Sequence, residues 1–540
     1  MRRVAGVAGL VLVLVLALAL AACSAETSPA TDVNYDRAKL RGVVRWNNGD
    51  GPGQMWWEYR KVGTQPWLEQ GARTSSPRMT GDGSTAVEKT LSGLTDATSY
   101  EYRICGKLDS VPPIACYDRD GSASAGAWDR VTTAPHPTVT PKSAFALNDS
   151  VGVATHPTYL DTVHAQENAI AQKIAAAGIR HVRNGMAISV DPYWNQLVWA
   201  NMRAWSSHAL ISSWSVDRCA VSSTAGHTVR MYLDKIAEID GDLSSAIEGT
   251  NEVDLLCSQD WVSRERLYVP RLYQEVKGHP DPVIRSLPVL GPSFAFNGAS
   301  EIGDISGWID FGNTHPYSGC MSPTPQHVQQ YGIDRYAPAG GTKPIIVTEV
   351  GFHTAIASTE PYIQPPCDER TGGVYTLRTV LEHFKLGIKR SYLYEAIDLW
   401  PNPQRDRSEW NFGILRNDLS AKPAYTYLKN LLATTRSTDT AALTPLKLKV
   451  EQGPSDLRTL LLRQADGDYV LALWRHASVW TRDQRQPIPV LPAQVKVSLP
   501  TTSSVARVQP HESTVETPVP LTDRRVTLDV AGDAMLLVIR

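Results

Sequence analysis

Between about residues 145 and 435 the chain alternates short apolar runs with amphipathic stretches, and it completes the alternation eight times. Parallel strands must be returned to the same edge by a crossover, so a repeated strand–helix pattern marks a parallel sheet. In the first half the strand candidates are Val151-Gly152-Val153, Arg180-His181-Val182-Arg183, Leu210-Ile211-Ser212-Ser213-Trp214 and Ser245-Ala246-Ile247-Glu248. The second half offers Pro288-Val289-Leu290, Ile309-Asp310-Phe311-Gly312, Ile345-Ile346-Val347-Thr348 and Ser391-Tyr392-Leu393-Tyr394. Runs such as 165–177 and 374–386 supply helices between them. Eight units in roughly 290 residues predict a closed (β/α)8 barrel. A doubly wound open sheet is the alternative, but no Gly-x-Gly-x-x-Gly follows any of these strands.

The flanking segments carry strand patterns without helices. Residues 39–134 hold Gly42-Val43-Val44-Arg45-Trp46, Trp56-Trp57-Glu58-Tyr59-Arg60 and Ser99-Tyr100-Glu101-Tyr102-Arg103-Ile104, with turn clusters such as 48–53 between them. That pattern predicts an all-β sandwich. Residues 439–540 return to it, with strand-like runs at 457–462, 469–474, 495–499, 526–530 and 535–539, so a second β-sandwich closes the chain. The Pro/Thr-rich stretch 135–143 reads as a semi-extended linker into a barrel domain spanning 144–438.

At the N-terminus, Arg2 and Arg3 precede an apolar run from Val4 to Ala22 that ends in Leu20-Ala21-Ala22-Cys23. A basic start, a short apolar stretch and small residues before a cut describe a secretory signal. An uncleaved membrane span is the alternative, since the run is about long enough. The small-small-Cys ending resembles the bacterial lipobox. The resemblance implies that 1–23 is a signal segment whose Cys23 becomes the lipidated first residue. The protein would then be held at the outer side of the cytoplasmic membrane, with 24–38 as a tether.

Six further cysteines, Cys105, Cys116, Cys219, Cys257, Cys320 and Cys367, allow fifteen pairings. They fall into sequential couples, and an oxidising compartment lets such couples persist. The expected bridges are Cys105–Cys116, Cys219–Cys257 and Cys320–Cys367. The last two would join the loops after barrel strands three and four, and six and seven. No cysteine or histidine cluster has zinc spacing, so neither a metal nor a cofactor is expected. Fifty-three Lys and Arg against 55 Asp and Glu leave no basic excess to neutralise phosphates, which argues against a nucleic-acid partner. Fifteen Trp and 20 Tyr against seven Phe suit sugar faces and ordinary cores alike.

Catalytic groups of such a barrel sit at the C-terminal ends of its strands. The fourth strand runs into Glu248-Gly249-Thr250-Asn251-Glu252, and the seventh runs Pro344-Ile345-Ile346-Val347-Thr348-Glu349-Val350-Gly351. Cleaving a glycosidic bond needs one acid to protonate the leaving oxygen and a second carboxylate to attack or to steer water. Asn-Glu after strand four and Thr-Glu-x-Gly after strand seven resemble the signature of glycoside hydrolase clan A, the retaining TIM-barrel enzymes. Val151-Gly152-Val153-Ala154-Thr155-His156 and a C-terminal sandwich resemble its β-xylosidase and iduronidase branch.

The resemblance implies a hydrolase acting on a carbohydrate substrate, with Glu252 as general acid/base and Glu349 as nucleophile. It makes Arg183 and the His315-Pro316-Tyr317 run supports of the nucleophile. Asn251, His156, Glu395, Trp214 and, preferred of the two tryptophans, Trp400 become candidates to line the sugar site, with packing as the alternative for Glu395 and both tryptophans. Glu248, deeper in strand four, is expected as a buried partner, and Glu349's negative charge is expected to raise the Glu252 pKa. Two stretches depart from the pattern: Trp214-Ser215-Val216-Asp217 carries no family motif, and Glu395 stands where many members have an aromatic. In the N-terminal sandwich, the stretch from Leu91 to Tyr102 and the exit Val131-Thr132-Thr133-Ala134-Pro135 resemble a fibronectin type III module. Two competing readings remain: an adhesive sugar-binding protein on an inactive barrel, and a transglycosylase on the same site.

Overall fold

Eight parallel strands form a ring in the middle of the chain. They run Val151–Ala154, His181–Gly185, Ile211–Ser215, Ser244–Glu248, Val289–Leu290, Gly312–Thr314, Ile345–Val350 and Ser391–Leu393. Neighbours in sequence pair around the ring, the first strand pairs with the eighth, and a parallel Leu290–Phe311 bridge closes the gap between the fifth and sixth. The structure, a computed structural model, describes residues 23–46, 53–65, 68–75, 83–108, 111–117, 128–223, 226–257, 259–360, 364–440, 442–500 and 503–540. Residues 1–22 of the expected signal segment and 48–52 of the turn cluster lie outside the described residues.

The barrel interior is filled by Ala246, Leu290, Ile346 and Tyr392, from four different strands. Tyr392 explains a glycine on the first strand: a Cβ on Gly152 would meet its ring at 2.5 Å. The larger core lies outside the ring, where Ile170, Ile174, Val182 and Trp205 pack helices onto strands. Burial on both faces is what gives parallel strands their near-continuous apolar text.

Among the described residues the N-terminal region forms two antiparallel sheets, one of three strands and one of five. Ala38, Leu40 and Val44 of the first share a core with Trp57, Tyr100, Tyr102 and Ile104 of the second. At one corner the Thr95 N–H donates to the Tyr100 hydroxyl at 2.7 Å. The expected tether is instead part of this fold. Cys23–Thr31 is a strand of nine residues that pairs with Ala38–Trp46, Cys23 opposite Trp46. Ala25 and Thr27 point inward and are buried. With these small residues at the buried positions, the segment lacks the apolar text that usually announces a strand.

The expected linker is also structured. Thr138–Val139 pairs with Leu446–Lys447, and Lys142–Ser143 adds a parallel edge strand to Leu457–Arg463. Extended Pro/Thr-rich backbone still has donors and acceptors to satisfy, and an exposed sheet edge satisfies them. The C-terminal region stacks a six-stranded sheet on a three-stranded one around Leu471, Leu473, Val495, Val497, Leu528 and Leu537. Its other face packs on the barrel through Leu462, Val470, Trp474 and Leu536. There the buried Arg378, on the helix Glu369–Leu386, donates to the carbonyls of Ala477 (2.8 Å) and Gly532 (2.6 Å).

Candidate active site

At the C-terminal end of the barrel the strand ends bring two glutamates face to face. Glu349 is the fifth residue of the seventh strand and is 7% exposed. The strand can pass so close to the eighth because Gly351 follows it; a Cβ there would lie 2.0 Å from the Tyr394 carbonyl. Thr-Glu-x-Gly is thus partly a packing motif. Glu252 lies past the end of the fourth strand and adopts a left-handed backbone, φ 39° and ψ 50°. That conformation costs a non-glycine residue about 1–2 kcal/mol. It is held by the Glu252 N–H on Ser293 Oγ (2.9 Å) and the Asn251 N–H on Asp217 Oδ2 (3.0 Å). A carboxylate oxygen of each glutamate and a ring nitrogen of His315 all lie within 4.8 Å of one another.

Arg183 organises the floor. Its Nε and Nη2 donate to both oxygens of the fully buried Glu248 at 2.8 Å. Nη2 also reaches Asn251 Oδ1 at 2.8 Å, and Nη1 reaches Glu349 Oε1 at 2.5 Å. The Tyr317 hydroxyl donates to Glu349 Oε2 at 2.9 Å. Burial and the Glu349 charge push the phenol well above its ordinary pKa, so it stays a donor. Both oxygens of Glu349 are therefore fixed. Beneath them, Asn313 Nδ2 donates to Glu248 Oε1 at 3.0 Å, and Thr348 Oγ1 lies 3.1 Å from that oxygen.

His315 joins the two sides. Its Nδ1 is 2.9 Å from Glu252 Oε1, and its Nε2 is 2.9 Å from Thr348 Oγ1. Burial pushes the imidazole down, but the charge of Glu349 and the hydrogen bond and charge of Glu252 outweigh it and leave the pKa raised. Burial likewise pushes Glu252 up, but the hydrogen bond and charge of His315, with the charge of Arg183, bring it below its ordinary value. The expectation of a raised Glu252 pKa is thus corrected. Glu349's influence is outweighed by the hydrogen bond and charge of His315, and Glu252 and His315 titrate as a pair. Glu252, His315 and Glu349 are close enough to hold a cation together, although Arg183 and Tyr317 already occupy both Glu349 oxygens.

The remaining candidates spread over the rim. His156 stacks on Tyr159, ring centroids 4.6 Å apart, and its Nε2 lies 3.1 Å from Glu395 Oε2. Burial, with the charge of His164, lowers His156 to about 4, and burial raises Glu395 far above the carboxylate range, so the pair is held uncharged. Trp400 packs against Trp410 (6.3 Å) and, among the described contacts, meets neither glutamate. Trp214 is core: its Nε1 donates to Ser244 Oγ at 3.0 Å. Two expected disulfides are present, Cys219–Cys257 beside Glu252 and Cys320–Cys367 between the loops after strands six and seven. Cys105 is disulfide-bonded and lies opposite Cys116 in the ladder; the side chain of Cys116 lies outside the described residues.

Sequence reasoning missed Glu409. It lies in the loop after the eighth strand, where its Oε1 accepts from the Tyr394 hydroxyl at 2.5 Å. Tyr394 sits edge-on to Tyr317 (6.5 Å) and to His156 (5.5 Å), which places Glu409 on the Glu349 side of the cleft. Nothing in the text of an aperiodic, polar loop distinguishes this glutamate from a solvated one.

No family model matches the sequence, and no curated protein matches it. Solved structures give distant likenesses. A Bacteroides uniformis β-glucuronidase is 12% identical with a TM-score of 0.39, over 95% of this chain and 58% of that one, so this chain spans under two thirds of its length. A putative β-galactosidase from Bacteroides fragilis is 12% identical, TM-score 0.36, over 94% and 74%. An active-site mutant of a Rhizomucor miehei β-1,3-glucanosyltransferase is 16% identical, TM-score 0.37, over 51% and 96%.

Proposed function

We propose that the protein is a retaining glycoside hydrolase that works by double displacement. The observation that carries this reading is the spacing of the pair, with a carboxylate oxygen of Glu252 and one of Glu349 within 4.8 Å. Retaining enzymes hold their carboxyl groups about 5 Å apart, whereas inverting ones leave several ångströms more for a water. Glu349, fixed at both oxygens, attacks the anomeric carbon. Glu252 gives the leaving oxygen its proton and then takes one from the water that releases the sugar.

His315 supplies the proton balance. The Glu252–His315 pair shares one proton across its contact, which the raised imidazole and lowered carboxyl pKa draw toward the imidazole. A bound sugar displaces water and disfavours the separated charges, which moves the proton across the 2.9 Å contact to Glu252 Oε1. Esterification of Glu349 then removes its negative charge, which eases Glu252 back to the carboxylate that the second step needs.

The test is trapping with activated 2-fluoro-glycosides, followed by mass spectrometry of the labelled peptide. A label on Glu349 is expected, and one on any other side chain would refute the assignment. We also propose that the protein is exported and lipid-anchored through Cys23. Metabolic labelling with a fatty acid, lost in Cys23→Ala, tests it.

A further inference from the structure

We propose that the sugar pocket beside Glu349 is built for an uncharged glycone and rejects uronic acids, with Glu409 as the specificity-determining residue. The proposal rests on the glycosidase reading above.

A carboxylate on a sugar ring needs a cation, or a set of free donors, to replace its water. Among the described residues, neither of the cationic side chains that touch the catalytic pair is free to do so. Arg183 is the one guanidinium in contact with the catalytic pair, and it is committed to Glu248, Asn251 and Glu349. His315 is committed between Glu252 and Thr348. On the loops after strands seven and eight, Arg405 is held by Glu369 (2.9 Å) and the buried Lys422 by Asp398 (2.7 Å), while Arg407 is largely solvated, 3.6 Å from Glu360.

The wall that faces Glu349 from the first and eighth strands adds acid instead. Glu409 is solvent-exposed and oriented by the Tyr394 hydroxyl. His156, stacked on Tyr159, adds no positive charge to this wall, burial lowering its pKa to about 4. Behind it lies the wholly buried Glu395, whose Oε2 is 3.1 Å from His156 Nε2 and whose Oε1 has no hydrogen-bond partner among the described residues. An uncharged sugar gives these groups hydroxyls to bind. A uronate places a like charge opposite Glu409 and Glu349, and like-charge juxtaposition is how a site excludes a wrong partner.

The experiment compares kcat/KM for aryl β-xyloside, β-glucoside and β-galactoside with the matching β-glucuronide and β-galacturonide, at one pH and two ionic strengths. At least one neutral glycoside is expected to turn over, with its uronide about a hundredfold or more poorer. That penalty should shrink as salt is added, as an electrostatic cause requires. Glu409→Gln keeps the hydrogen bond from Tyr394 but not the charge. It should narrow the neutral-to-uronide ratio about tenfold, chiefly through KM. A uronide used as well as its neutral counterpart would overturn the proposal and leave the glycosidase reading standing. A ratio unchanged in Glu409→Gln would overturn the role of Glu409. Silence on every activated glycoside would overturn the glycosidase reading and this proposal together.

Discussion

Arg183→Met should weaken both the fold and the chemistry, because the guanidinium holds two buried or nearly buried carboxylates at once. Among the described residues, removing it leaves Glu248, 0% exposed, with Asn313 and Thr348 as donors, and Glu349 with Tyr317 and a longer 3.6 Å contact to His315. Breaking a buried ion pair by deleting one partner costs about 3–5 kcal/mol. A barrel domain of roughly 290 residues has an unfolding entropy near 0.6 kcal/mol/K, so its Tm should fall by about 5–8 °C. Adding Glu248→Gln removes the stranded charge, so the double variant should recover part of the loss. Activity should fall about a hundredfold, since a nucleophile freed at one oxygen no longer keeps its line of attack. Arg183→Lys should sit between, because one ammonium cannot span Glu248 and Glu349 together. Differential scanning calorimetry and kcat/KM on an activated aryl glycoside measure both effects. A Tm within 2 °C of wild type, with unchanged kcat/KM, would refute the reasoning.

Glu252→Gln should keep much of its first-step rate on an activated aryl glycoside and recover its second step with azide, yielding a β-glycosyl azide; failure of azide to rescue would remove Glu252 as acid/base. The Glu252–His315 contact should stabilise the barrel within a defined pH window. His315 is raised above 6.5, so its share is full below 6.5 and lost as pH climbs through the raised value. Glu252 is lowered below 4.5, so its share is present above 4.5 and lost as pH falls through the lowered value. The Tm difference between wild type and His315→Gln should therefore be greatest between about pH 4.5 and 6.5, and a flat difference from pH 4 to 9 would contradict the coupling. Deleting residues 24–31 removes a paired strand and the buried Ala25 and Thr27, so the N-terminal sheets should lose their cooperative transition in calorimetry while the barrel keeps its own. An unchanged thermogram would show that the strand contributes nothing.

By itself the sequence determined the parallel barrel, since strands buried on both faces and returned by helices have to alternate with them in the text. It also placed Glu349 at the end of strand seven, where Thr-Glu-x-Gly directly follows an apolar run, and Glu252 a few residues beyond strand four. Two of the cysteine couples were legible for a similar reason, as each joins loops of neighbouring strands. The direction of the Glu252 pKa was beyond the sequence, because it depends on an imidazole 63 residues away. Glu409 was equally hidden: its place comes from a tyrosine hydroxyl and a loop with no period. The paired segments at 23–31 and 138–143 were read as tether and linker because edge pairing uses backbone groups, which every residue carries and no side-chain pattern reveals. Patterns along the chain record which faces are buried; which charges meet is decided only when distant loops are brought together in space.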